Sequence, residues 1–159
     1  MLGATRLLRV GTCGALKDGA RMADTVVALS ATADDQNPLR YAQMPSYAPA
    51  CTFELAERAV RLSREQGTTV HVGPVVTSGV FYDPDKTTFA TWKRVGHIGV
   101  EMEAAMMYTV AAVHGIESLA IMTVSDLLAE SGTSERISDD ELRQGVDKMM
   151  KIACQVAVS

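Results

Sequence analysis

The chain has 159 residues, 47% of them hydrophobic, and a formal net charge of −4. That is enough for one domain with a buried core. An acidic balance with no basic block excludes recognition of nucleic acid through a broad positive face. No apolar run is long enough to span a membrane, and no secretory n-region and h-region precede a cleavage site, so a cytoplasmic protein without a membrane partner is expected. Cys13, Cys51 and Cys154 have no metal-type spacing and read as reduced thiols. His71, His97 and His114 are scattered, and no metal site is expected.

Met1 to Ala4 reads as the end of a helix with its cap. Thr5 to Val10 reads as a strand, with Arg6 and Arg9 on opposite faces because they lie three residues apart. Gly11-Thr12-Cys13-Gly14 then reads as a loop of small residues. Its backbone N–H groups, with Thr12 and Arg9, are suited to an anion; a tight turn that needs glycine is the structural alternative. Asp24 to Ser30 is a second strand. Residues 31 to 50 read as a long irregular loop with Tyr41 and Tyr47, of a length that is usually functional or touches a partner. Cys51 to Gln66 is an amphipathic helix with Phe53, Leu55, Ala56, Ala59, Val60 and Leu62 on its apolar side and Gly67 at its end.

Thr68 to Thr77 is β-rich, and Pro74 within it predicts a bulge or an edge. The following stretch, Ser78 to Pro84, places Phe81 and Tyr82 side by side between glycine and proline. Such rings either line a pocket for a flat ligand or seal the core. Asp85 to Val95 reads as a helix carrying Trp92, the only tryptophan.

Gly99 to Asp126 is the organising stretch, a strand, a helix and a strand. Glu101 and Glu103 follow the first strand. Ala104 to His114 is rich in helix formers, and Gly115 closes the helix. Leu119 to Val124 is a buried strand by composition and ends in Ser125-Asp126. Ligands in open α/β sheets collect at the carboxyl ends of strands, so these three acids are candidate acid/base groups; capping of the next helix is the alternative for each. Residues 127 to 137 read as mobile. Ser138 opens a capping box with Glu141, and the last helix runs to about Ala157 with Leu142, Val146, Met149, Met150, Ile152, Ala153 and Val156 on its apolar face. The pattern predicts one α/β domain over residues 1–159 with a mixed central sheet flanked by helices.

Four motifs in this order and spacing, RVGTCGAL, TSGVFYDP, VEMEAA and TVSD, resemble the bacterial-type, hexamer-forming purine nucleoside phosphorylases of the nucleoside phosphorylase/hydrolase superfamily. The resemblance covers nearly all of the chain and corresponds to roughly the C-terminal two-thirds of such an enzyme. It implies an α/β phosphorylase/hydrolase-like fold without its first strands, and phosphorolysis of purine (deoxy)ribonucleosides with inorganic phosphate as co-substrate and no cofactor. It also implies a homo-oligomer of the dimer-based hexamer kind. By the same resemblance Arg9 and Thr12 hold phosphate. Ser78, Gly79, Phe81 and Tyr82 pack against base and ribose, Val100, Glu101 and Met102 line base and sugar, and Ser125 touches substrate. Glu103 accepts from the ribose hydroxyls, and Asp126 protonates N7 of the leaving purine.

The chain departs from the family in two places. Leu142 stands where the family has an arginine that moves toward the acid. Arg143 is one residue later, which rotates a helical side chain by about 100°; Arg136 is the other candidate. The family's first strands, with a glycine-rich phosphate loop and further arginines, have no counterpart here, so weak phosphorolysis is expected. The alternatives are a uridine phosphorylase or nucleosidase of the same superfamily, and a non-catalytic remnant.

Overall fold

The computed structural model describes residues 3–85, 87–129 and 134–158. Six strands and five helices lie along these described residues, in the order β-β-α-α-β-α-β-α-β-β-α. The strands are β1 (Arg6–Ala15), β2 (Thr25–Ala33), β3 (Val70–Thr77), β4 (Gly99–Glu101), β5 (Glu117–Leu128) and β6 (Ser134–Arg136). The helices are α1 (Asn37–Ala42), α2 (Phe53–Glu65), α3 (Thr88–Arg94), α4 (Ala104–Val113) and α5 (Asp139–Ala157). The sheet order is β1-β4-β3-β2-β5-β6, and β1 also pairs with β5. The first five strands therefore form a closed hydrogen-bonded circuit, with β6 added to the end of β5. The sheet is mixed: β1–β5, β2–β3 and β3–β4 run parallel, β1–β4, β2–β5 and β5–β6 antiparallel.

Alternation along the strands separates two cores. On one side Val26, Ala28, Val75, Ala120, Met122 and Val124 pack against Ala104, Ala105 and Tyr108 of α4. On the other, Val27, Leu119 and Ile121 pack against Leu55, Ala56 and Ala59 of α2 and Met149, Ile152, Ala153 and Val156 of α5. Tyr108 is fully buried. Its hydroxyl donates to the Ala28 carbonyl at 2.7 Å and accepts from the Ala120 N–H at 2.9 Å. Ala28 and Ala120 form the last rung between β2 and β5, so one phenol closes the gap where these strands part. Burial pushes that phenol far above its usual range.

Several expected boundaries differ. The stretch Gly11–Gly14 is not a loop but the second half of β1, paired with β5 through Thr12↔Thr123 and Cys13↔Val124, with a register slip between Cys13 and Gly14. Small residues are used there for close packing: a Cβ on Gly14 would lie 2.6 Å from Leu128 Cδ1. Residues 31 to 50 are not one irregular loop. β2 continues to Ala33, and Pro38 at the first helical positions starts α1. Residues 127 to 137 carry the end of β5 and all of β6; residues 130–133 of that stretch lie outside the described residues. The third helix begins at Thr88, not Asp85. Phe53, placed on the apolar face of α2, is 66% exposed, and Met150, placed on that of α5, is also exposed.

Other features are as the sequence predicts. Pro74 faces the slip between Ala28 and Ser30 of β2. Gly115 takes φ +64° just beyond α4. Ser138 caps α5, accepting from the Glu141 N–H while its hydroxyl donates to the Glu141 carboxylate at 2.6 Å. Arg6 and Arg9 point to opposite sides of β1. Arg6 donates to Glu117 at 2.8 Å and to the Val156 and Ala157 carbonyls at 2.9 and 3.1 Å, tying the C-terminal end of α5 to the sheet.

Candidate active site

The strand ends of β1, β3, β4 and β5 converge on a cavity of about 530 Å³. Of the residues expected from the sequence, Arg9, Thr12, Ser78, Phe81, Tyr82, Val100, Glu101, Met102, Glu103, Ser125 and Asp126 line it. Gly79 does not; its amide is turned to the Asp34 carboxylate. Arg143 does not line it either and is exposed on the first turns of α5. Arg136 sits directly opposite Asp126 in the β5–β6 ladder but is not part of the lining.

Glu101 is the hub of the site. Its carboxylate is buried and accepts from the N–H groups of Glu103 at 2.9 Å and Ala104 at 2.8 Å, from the Thr77 hydroxyl, and from Arg9 Nε at 3.1 Å. Thr77 in turn accepts from the Ala105 N–H at 2.9 Å. Glu101 and Thr77 together satisfy the first amides of α4, which Glu103, the residue at the cap position, does not. The capping alternative thus holds for Glu101. Its oxygens are committed to the protein, and it acts on the cavity through Arg9.

Glu103 does not cap. Its side chain stays 61% exposed and pairs with Arg9 through Nε at 3.0 Å and through Nη2. Arg9 therefore lies between two carboxylates. Its remaining terminal nitrogen, Nη1, is buried without a partner among the described residues. This nitrogen lies over Gly11, where a Cβ would come within 3.0 Å of it. An unpaired guanidinium N–H beside a cavity is a vacant donor for an anion.

Asp126 lies within β5 rather than at its end, because the strand runs on to Leu128 to pair with β6. It is half-buried between Gly14 of β1 and Arg136 of β6 and accepts from the Ser125 hydroxyl at 2.7 Å. Cys13, behind it, is buried; burial pushes its thiol up to about 12, with Glu101 and Asp126 adding to the rise and Arg9 opposing it. It remains a neutral thiol at ordinary pH.

The aromatic pair does not seal the core. Phe81 and Tyr82 are 71% and 87% exposed and meet edge to face at 5.0 Å. They form an exposed part of the cavity's lining. Phe89 of α3, Leu128 and Ser134 also line the cavity and lie outside the four motifs. Ser134 arrives only through the β5–β6 pairing, for which the sequence carries no motif. No cluster of three metal-ligating side chains occurs among the described residues, and none of their helices is long and apolar enough to cross a membrane.

Fold and cavity together are those of an α/β protein with a cavity at its strand ends, the place where ligands collect in such sheets. A profile of the phosphorylase superfamily matches residues 1–158, and the chain belongs to that superfamily. It is 37% identical over 156 residues to a DeoD-type purine nucleoside phosphorylase of Alkaliphilus metalliredigens, covering 98% of this chain and 65% of the relative. Over 157 residues it is 38% identical to the enzyme of that name from an Exiguobacterium species, with coverage of 98% and 65%. A DeoD-type 2 enzyme of Vibrio parahaemolyticus is 35% identical over 158 residues, with coverage of 99% and 65%. The chain thus spans 65% of the length of these curated relatives.

Proposed function

We propose that this site carries out phosphorolysis of purine (deoxy)ribonucleosides, giving the free base and (deoxy)ribose 1-phosphate. The observation that carries the reading is the placement of three groups on one cavity: Arg9 with a vacant donor, Glu103 paired with it, and Asp126. The names of the relatives agree with it. In this reading phosphate approaches Arg9 Nη1 and Thr12, and a phosphate oxygen bonds to C1′ as the C1′–N9 bond breaks. The electron pair of that bond leaves with the base, and Asp126 donates a proton to N7. Glu103 accepts from the ribose hydroxyls, so its negative charge faces the oxocarbenium character on the sugar. Phe81 and Tyr82 cover the base and ribose, with Val100, Met102 and Ser125 on the remaining walls.

Phosphate is held loosely. Arg9 is already balanced by two carboxylates, and an anion at Nη1 must also face Glu103 across a few ångströms. Slow turnover and a high KM for phosphate follow. Arg136, opposite Asp126, is better placed than Arg143 to approach the acid. We propose further that the protein is cytoplasmic, needs no cofactor beyond phosphate, and self-associates in the manner of a dimer-based hexamer. Tyr41 and Met44 at the end of α1 and Val113 at the end of α4 are exposed apolar groups brought together by the 3.1 Å contact of Tyr41 with His114.

The test is release of base from inosine, adenosine and uridine, with and without phosphate. The account expects release from the two purine nucleosides only, and only with phosphate. Release from uridine, or release without phosphate, would favour the uridine phosphorylase or nucleosidase alternatives; no release at high protein concentration would favour a non-catalytic chain.

A further inference from the structure

We propose that Asp34, which lies outside the cavity, is a positioning residue for the aromatic rim, setting where Phe81 and Tyr82 stand over a nucleoside. This role rests on the reading of the site given above. Asp34 is the first residue past β2, and its N–H donates to the Thr77 carbonyl at 3.0 Å, one step beyond the last rung Ala33↔Thr77. That places its carboxylate over the first two residues beyond β3. It accepts from the Ser78 hydroxyl at 2.5 Å and from the Gly79 N–H at 3.0 and 3.2 Å, so both oxygens are used. From the other side the Ser78 N–H donates to the Glu101 carbonyl at 2.8 Å. The root of the segment is thereby clamped between the ends of β2 and β4.

The clamp matters because little else fixes the rim. Phe81 and Tyr82 are too exposed for core packing to hold them. Their place is inherited from the root, two residues earlier. Hydrogen bonds to a charged acceptor are among the stronger ones, and this acceptor takes three. Displacing an orienting group by an ångström is enough to cost binding and rate. Neighbouring Asp35 plays a different part. Its carboxylate accepts from the N–H and the side-chain amide of Asn37, at 2.9 and 2.7 Å, at the start of α1. It serves as the control.

The experiment is calorimetric titration of the full chain with inosine and, separately, with inorganic phosphate, for the parent, Asp34→Ala, Asp34→Asn and Asp35→Ala, with amide hydrogen exchange at Gly79 measured alongside. The expected result is inosine binding weakened about five- to tenfold in Asp34→Ala, an intermediate loss in Asp34→Asn, and Asp35→Ala like the parent. Phosphate binding stays within about twofold throughout, and the Gly79 amide exchanges faster only in the Asp34 variants. Unchanged inosine binding in Asp34→Ala beside a parent that binds overturns this role alone. So does an equal loss for inosine and phosphate, which marks a general structural effect. A parent that binds no inosine overturns the reading of the site, and this role with it.

Discussion

Two arginines three residues apart on β1 meet opposite fates. Arg6 turns to the α5 side, where Glu117 and two helix-terminal carbonyls take its donors. Arg9 turns to the cavity, where two carboxylates take part of its fork and one buried nitrogen is left over. Residue type and strand are the same, and both make ion pairs. The difference is in what remains unsatisfied. Among the described residues Arg9 Nη1, Arg58 Nε, Thr68 Oγ1 and His97 Nδ1 are buried without partners, and of these four residues Arg9 alone lines the cavity, so its vacancy points to a ligand in a way that its ion pairs do not. The lesson extends to the acids nearby. Glu101 is saturated by backbone amides, Thr77 and Arg9, and is structural in its immediate contacts; Glu103 and Asp126 keep free acceptor capacity at the cavity.

The largest break in this comparison is expected at Asp126. Asp126→Asn should lower purine turnover by roughly 10²-fold or more while leaving the melting temperature in place, read from initial rates beside a thermal scan. Unchanged turnover of inosine and adenosine would remove Asp126 from the chemistry. Glu103→Ala should come next. It should weaken binding of ribosides about tenfold more than that of 2′,3′-dideoxyribosides, and by releasing Arg9 Nη2 it should tighten phosphate binding. Equal losses for both sugars would instead make Glu103 a partner of Arg9 and nothing more.

Arg6→Ala sharpens the contrast from the structural side. Loss of the α5 tie should destabilise the fold by about 1–2 kcal/mol, lowering the melting temperature by roughly 2–8 °C with KM for phosphate unchanged. The smallest effect concerns Cys13. With its thiol held up to about 12, it should resist alkylation in the native protein at pH 8, when exposed Cys154 reacts. Because a raised thiol binds its proton more tightly in the folded state, stability should fall as pH rises above about 9. Cys13→Ala should flatten that fall.

Much of this is legible in the sequence. The helical periodicity of α2 and α5, the capping box at Ser138 and the glycine stop at Gly115 are local signals, and local signals survive folding. The four motifs supply sixteen of the cavity's twenty lining residues. What the sequence hides is non-local. Gly11–Gly14 has the composition of a loop, and only pairing with β5 shows it to be strand. Asp126 reads as a strand end because its partner β6 is three residues long and has no hydrophobic pattern of its own. Whether an acid caps, pairs or stands free cannot be read from spacing. Glu101 and Glu103, two residues apart, carry the same alternatives in sequence and divide them in the structure. Asp34 carries no motif, since its role depends on where β2 stops relative to β3.

The central claim is that phosphate, bound at Arg9, becomes bonded to the sugar. The most direct measurement is phosphorus NMR of the chain incubated with inosine and inorganic phosphate, with free base quantified in the same samples. The account predicts a new phosphate monoester signal growing in one-to-one proportion with hypoxanthine, absent in Asp126→Asn over the same interval. Hypoxanthine released with no phosphate ester would contradict it and identify water as the nucleophile.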